Sequence, residues 1–250
     1  ISGRRIEKGG VNFSAVEGIL PDKIKSKLQL DNGDFFATGV SIVLHPHNPH
    51  VPIIHMNVRY FEADGGKYWF GGGIDLTPHY VVDEDAQFFH QSLKDVCDAS
   101  DESFYPKFKE WADNYFFIKH RGETRGVGGI FFDRLHSNTE KGKEHYWEFV
   151  QRVGEAFVPI YSNFVENYGK ASFTEKEKEW QYHRRSRYVE FNLVWDAGTK
   201  FGLETGGRTE SILMSMPPMA KWEYNKSVEP DSAEGITQSK LKKGVDWYLL

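Results

Sequence analysis

A chain of 250 residues with a formal net charge of -5 is long enough for one domain with a substantial core. The acidic balance argues against a general binder of nucleic acid or anionic membrane, which needs a spread of excess Lys and Arg. No apolar run approaches the roughly eighteen residues of a membrane span. The single cysteine, Cys97, excludes an intramolecular disulfide framework and any CxxC redox or metal motif.

Taken in order, the chain opens on Gly3-Arg-Arg-Ile-Glu-Lys-Gly-Gly-Val-Asn-Phe, which is strand-like and carries no initiator methionine. The expectation is that an amino-terminal piece precedes it. Strand character continues in Phe35 to Leu44, Ile53 to Glu62 and Lys67 to Thr77, separated by Pro-rich or Gly-rich punctuation; Asp64-Gly-Gly66 is a short hairpin signal. Acids at Asp83 to Asp85 followed by Phe88, Phe89, Leu93, Val96 and Cys97 at three- and four-residue spacing predict a helix, with Cys97 as inert core. Phe104, Phe108, Trp111, Tyr115 and Ile118 give a second helix capped near Ser103, and Gly128 to Asp133 returns to strand. A long helical region spans about Lys141 to Tyr168, with Pro159 expected to kink or break it. The capping-box signal Thr174-Glu-Lys-Glu177 opens a helix to Arg187. Alternation in Tyr188 to Trp195 then predicts a half-buried strand, and Ser211 to Met216 another; a short helix lies near Lys240. Hairpin-joined strands in front with helices grouped behind predict a single-domain α+β fold over 1–250, built on a mostly antiparallel sheet.

Four segments are more polar or glycine-rich than a sheet requires. Alternation places His55, Asn57 and Arg59 on one face of a strand, about 6.6 Å apart, with Met56, Val58 and Tyr60 on the other. A proton donor, an amide and a guanidinium on one rigid ledge point to an anion-binding reaction site, to which Gly39-Val-Ser41 and His45 lead. In Trp69-Phe-Gly-Gly-Gly-Ile-Asp75 the glycines permit close backbone approach to a ligand and Asp75 can accept a proton or an N–H; a β-bulge with a capping Asp reads equally well. Arg121 and Arg125 in the loop Lys119 to Gly129 suit forked bonds to carboxylates or phosphates, or a solvated basic loop, without P-loop order. Glu204-Thr-Gly206-Gly207-Arg208 repeats the logic as an anion nest. The run Arg184, Arg185, Arg187 reads as a solvated helix face. His45, His47, His50 and His55 resemble a metal-binding run to which His90 and His120 could add ligands, but no HExxH, no HxH-plus-carboxylate triad on one strand and no cysteine ligand accompanies them.

Over nearly its whole length the chain resembles the oxygen-dependent coproporphyrinogen III oxidases of haem biosynthesis. The resemblance is carried by Gly10-Val-Asn-Phe-Ser, Leu44-His-Pro, His55-Met-Asn-Val-Arg-Tyr-Phe, Trp69-Phe-Gly-Gly-Gly-Ile-Asp-Leu-Thr-Pro, Lys119-His-Arg with Arg125-Gly, and Gly202-Leu-Glu-Thr-Gly-Gly-Arg through Pro218. It implies a flat antiparallel sheet flanked on both faces by helices, a homodimer, and oxidative decarboxylation of two propionates of coproporphyrinogen III to vinyl groups, giving protoporphyrinogen IX. Molecular oxygen is then the co-substrate, and no cofactor is required; by the resemblance His45, His55, His90 and His120 match positions sometimes assigned to a divalent metal, whose need is disputed in this family, and no required metal is expected. By the same resemblance His55 is the proton donor and Asp75 holds the pyrrole nitrogens, with Arg59 as the third catalytic residue. Ser41, Asn57, Val58, Arg59, Gly206, Gly207 and Arg208 bind substrate, and Arg121 and Arg125 are further propionate partners. The expected setting is the cytoplasm, or the mitochondrial intermembrane space if a transit segment is missing, with no nucleic acid and no stable membrane insertion. A non-haem metal oxygenase and a tetrapyrrole carrier are the rival readings.

Overall fold

The computed structural model describes residues 1–20, 22, 25–26, 33–63, 66–136, 141–204 and 207–250. Four long strands, β1 (Ile6–Ile19), β2 (Asp34–Pro46), β3 (Ile53–Ala63) and β4 (Lys67–Thr77), pair antiparallel in chain order. A later strand, β7 (Gly128–Leu135), joins β4 and completes a five-stranded sheet. Asp64 and Gly65 of the expected turn lie outside the described residues, yet pairing runs to Ala63 opposite Lys67. A two-stranded ribbon, β5 (Phe117–Ile118) with β6 (Glu123–Thr124), frames the basic loop.

The two faces of the sheet differ because side chains alternate. One face carries Ile42, Met56, Phe70, Ile74, Ile130 and Phe132 into the main core, where α1 (Asp83–Asp98), α2 (Phe104–Tyr115) and α3 (Lys143–Tyr168) add Phe89, Leu93, Cys97, Phe108, Phe149, Val153 and Phe164. Each fully buried Phe in this set contributes roughly 1.5–3 kcal/mol of transfer free energy. Of the expected stripes, Phe89, Leu93, Cys97, Phe104 and Phe108 are buried, whereas Phe88 and Trp111 stay exposed and Ile118 falls beyond α2, in β5; burial pushes the Cys97 thiol up to about 12. Pro159 does not break α3, because proline removes only one donor and its helix is already held by the buried row on either side.

The opposite face is covered by α4 (Glu175–Val194) and, over β1 and β2, by a 3-10 turn at Leu213–Ser215, reached through α5 (Ala197–Glu204) and α6 (Thr209–Ile212). Tyr188 of α4 packs on Val43 and Ile53, and Met214 fills the space above Gly10. The α+β reading holds, with helices on both faces.

Three expectations fail here. Tyr188 to Trp195 is not a strand: α4, nucleated by the Thr174–Glu177 capping box, runs on to Val194 and buries Tyr188, Phe191 and Asn192 at helical spacing. The apparent alternation arose in part because Leu193, an apolar residue 46% exposed, stands on the solvent side of the helix. Ser211 to Met216 is a helical turn, closed where Met216 turns extended before Pro217. The run at 184–187 is not a solvated face, since Arg184 and Arg185 are 1% and 0% exposed. They are ion-paired to Glu123 and Glu7, and Arg185 also donates to Pro46 O.

Candidate active site

The sheet builds the ledge that alternation predicts. His55, Asn57 and Arg59 of β3 lie opposite Val43, Ser41 and Gly39 of β2 and opposite Asp75, Gly73 and Gly71 of β4, all on the face beneath α4. The register continues outward to Asn12 beside Ser41 and to Phe131 beside Gly73. Arg59 donates from Nη1 to Asn57 Oδ1 at 2.9 Å, so the amide and the guanidinium are already joined. Gly73 and Gly71 leave main chain where β4 side chains would otherwise stand. A Cβ on Gly73 would come within 2.6 Å of Ile130 O, so pairing with β7 requires glycine there.

His55 and Asp75 face each other across the β3–β4 pairing, with Nδ1 2.7 Å from Oδ1. The second Asp75 oxygen accepts from Arg125 Nη2. Asp75 is 2% exposed. Burial alone would raise its carboxyl, but Arg125 and His55 prevail and hold it below the ordinary carboxylate value. An ionised Asp75 accepts the Nδ1 proton of His55, leaving Nε2 of that ring as the nitrogen available to a ligand. Arg125 is likewise 2% exposed, and its Cζ lies 4.4, 4.5 and 4.7 Å from the ring centroids of Phe116, Tyr188 and Phe191. A guanidinium boxed by three rings and a carboxylate is a structural cation. The structure thus encloses Arg125 rather than presenting it to a propionate.

Arg121 stands at the rim. It forms a fork with Glu190, Nε to Oε2 at 2.8 Å and Nη2 to Oε1 at 2.6 Å. Glu190 also receives bonds from His120, Arg187 and the Trp222 indole. Burial opposes its charge, but these donors hold its carboxyl down at about 2. Arg208 is the N-cap residue of α6 and is exposed, as is Gly207; Gly206 lies outside the described residues. That segment is tied to the ledge face farther along, where His45 Nε2 and Lys8 Nζ bond Ser215 O and Met216 O. Val58 points to the opposite face, where it lines an apolar cavity of about 400 Å³ with Val40 and Trp147, so only its backbone belongs to the ledge.

Of the four candidate metal histidines, His45 and His55 share the ledge face whereas His90 and His120 are engaged elsewhere. His90 uses both ring nitrogens in the core, on Tyr105 OH and Val127 O, and His120 uses both on Glu190 and the Trp195 indole. Among the described residues no group of three or more His, Cys, Asp or Glu is placed to hold a metal ion. Burial instead pushes His45 and His90 down to about 3. Both remain neutral in the fold yet take up protons in the unfolded chain below about 6.5, so their contribution is complete above that pH and is lost on acidification toward 3. Each removes up to about 1.4 kcal/mol of stability per pH unit in that window. Urea titrations at pH 7 and 5.5 are expected to differ by a few kcal/mol. A His45→Gln/His90→Gln protein that kept the same pH slope would contradict this account.

Sequence reasoning missed Asp133, which pairs with Arg59 at 2.8 Å, and Glu190, the hub of the rim. For Asp133 the only signal was an acid ending the glycine-rich strand Gly128 to Asp133. Glu190 was hidden by the strand expected at Tyr188 to Trp195.

The model of the family described as coproporphyrinogen III oxidase matches residues 1–247. Among curated proteins, an oxygen-dependent coproporphyrinogen-III oxidase of Parasynechococcus marenigrum (strain WH8102) is 46% identical, covering 96% of this chain and 73% of its own length. The protein of that description in Synechococcus sp. (strain CC9605) is 45% identical over 98% and 74% of the two chains. Its Drosophila melanogaster counterpart is 48% identical over 96% of this chain and 64% of its own. With the match running through every strand of the ledge and through the helices that follow, this chain belongs to the coproporphyrinogen III oxidase family.

Proposed function

We propose that this chain is an oxygen-dependent coproporphyrinogen III oxidase, converting two propionate arms of coproporphyrinogen III into vinyl groups and so yielding protoporphyrinogen IX in haem biosynthesis. Each arm gives up carbon dioxide, one proton and two electrons, and dioxygen accepts the four electrons released by two arms. The observation that carries the reading is the His55–Asp75 pair on the same sheet face as Arg59, within a chain that the family model covers from 1 to 247.

In this reading Arg59 and the exposed Arg208 take propionate carboxylates through forked N–H groups, and Arg121 extends its Glu190-held fork at the rim. Ser41, Asn57 and the backbone about Val58 and Gly207 complete the polar bed; Gly206 is included by resemblance. His55 moves a proton through Nε2 while Asp75 and Arg125 fix its ring and tautomer. The buried position of Asp75 favours action on the substrate through His55 over direct contact with a pyrrole N–H. Holding an arm beside the oxidising centre is a proximity effect worth several kcal/mol. The proposal includes no required metal, since the ring nitrogens of His90 and His120 are already taken by protein groups, and a homodimer working in the cytoplasm, on the family resemblance.

The test is product analysis of coproporphyrinogen incubated with the protein in air and under nitrogen. Vinyl product and carbon dioxide are expected in air alone. Binding without turnover in air would leave a carrier, and activity abolished by chelation and restored by a metal would leave a metal oxygenase.

A further inference from the structure

We infer that Asp133 is the positioning residue of Arg59, aimed at it by a bulge in β7. The inference rests on the proposed role of Arg59 in holding a propionate.

The register of β4 against β7 shifts at this point: Gly72 pairs with Phe132 but Phe70 pairs with Leu135, so Asp133 and Arg134 together oppose the single residue Gly71. Arg134 takes φ 53°, a left-handed conformation unfavourable for a residue with a side chain. Bulges of this kind redirect a side chain, and a strained backbone is retained where something depends on it. What is redirected is the Asp133 carboxylate, whose Oδ1 meets Arg59 Nη2 at 2.8 Å while Asn57 Oδ1 holds Nη1 at 2.9 Å. Both terminal nitrogens are therefore fixed, and the guanidinium plane with them. The pair lies over Gly71, where a Cβ would fall 2.6 Å from Asp133 Oδ1 and 2.7 Å from Arg59 Nε. A bulge, a left-handed arginine and a glycine whose missing side chain leaves space for the pair converge on one ion pair.

Stability does not account for that convergence. The pair is open to water, with side chains 36% and 32% exposed, and such pairs contribute little to folding. Orientation accounts for it better. A guanidinium recognises a carboxylate through a planar fork, and a side chain fixed beforehand loses less freedom when the ligand arrives.

Steady-state kinetics with coproporphyrinogen provide the test. Asp133→Ala is expected to raise KM about fivefold or more with kcat within about twofold, the range expected for freeing one long side chain. Asp133→Asn, which keeps an acceptor oxygen, is expected to restore KM to within about twofold of the parent. In an Arg59→Ala background Asp133→Ala should add nothing. If the alanine protein does not fold, Asp133→Ser carries the same expectation. A KM unmoved by Asp133→Ala, an asparagine no better than alanine, or additive losses with Arg59→Ala would each overturn the inference. An Arg59→Ala protein with unchanged KM would instead overturn the role proposed for Arg59.

Discussion

Asp75→Asn is expected to lower kcat by about two to three orders of magnitude while moving KM for coproporphyrinogen less than about threefold. The substitution keeps volume and removes charge, so β3 and β4 stay paired and the propionate partners stay in place. What changes is the proton on His55. Asp75 Oδ1 lies 2.7 Å from Nδ1 and, being ionised, can only accept. An amide can turn its NH2 toward the ring and reverse the tautomer, leaving Nε2 protonated differently from the state turnover needs. The kinetics separate two roles for the acid: one acting through His55 shows in kcat, whereas one gripping a pyrrole N–H in the ground state shows in KM. Full activity in a folded Asp75→Asn protein would remove this residue from the chemistry altogether.

Arg125→Leu is expected to be the most destabilising single change in the site, costing about 3–5 kcal/mol, because it strands a buried carboxylate. Asp75 and Arg125 are both 2% exposed, so water cannot replace the lost partner. The double variant Arg125→Leu/Asp75→Asn should recover a large part of that loss, since an uncharged amide tolerates the apolar box of Phe116, Tyr188 and Phe191. Urea unfolding of the two single variants and the double variant closes the cycle. A leucine protein within about 1 kcal/mol of the parent, or a double variant no better than Arg125→Leu, would mean that the pair is not coupled as described.

Much of the ledge was legible because its information is local. Strand alternation alone put His55, Asn57 and Arg59 on one face, and hairpin punctuation brought Asp75 alongside. The stripes of α1, α2 and α3 were equally plain, being helices with one wet side. What escaped depends on partners distant in sequence. Nothing local distinguishes Arg125, sealed among rings from positions 116, 188 and 191, from Arg121, open at the rim. Arg184 and Arg185 resembled a solvated run because their acids, Glu123 and Glu7, stand 61 and 178 positions away. The strand read at Tyr188 to Trp195 failed for a related reason. Eight residues of alternating polarity carry no record of the capping box at Thr174, which commits the chain to a helix well before they are reached.

The crowding of donors about Glu190 bears on discrimination between substrates. In the proposed reading Arg121 meets a propionate with Nε and Nη2 already committed to Glu190, so it acts as one half of an ion pair and not as a free cation. Discrimination among arms of different length then rests on the ledge, where the paired strands fix the spacing between Arg59 and His55.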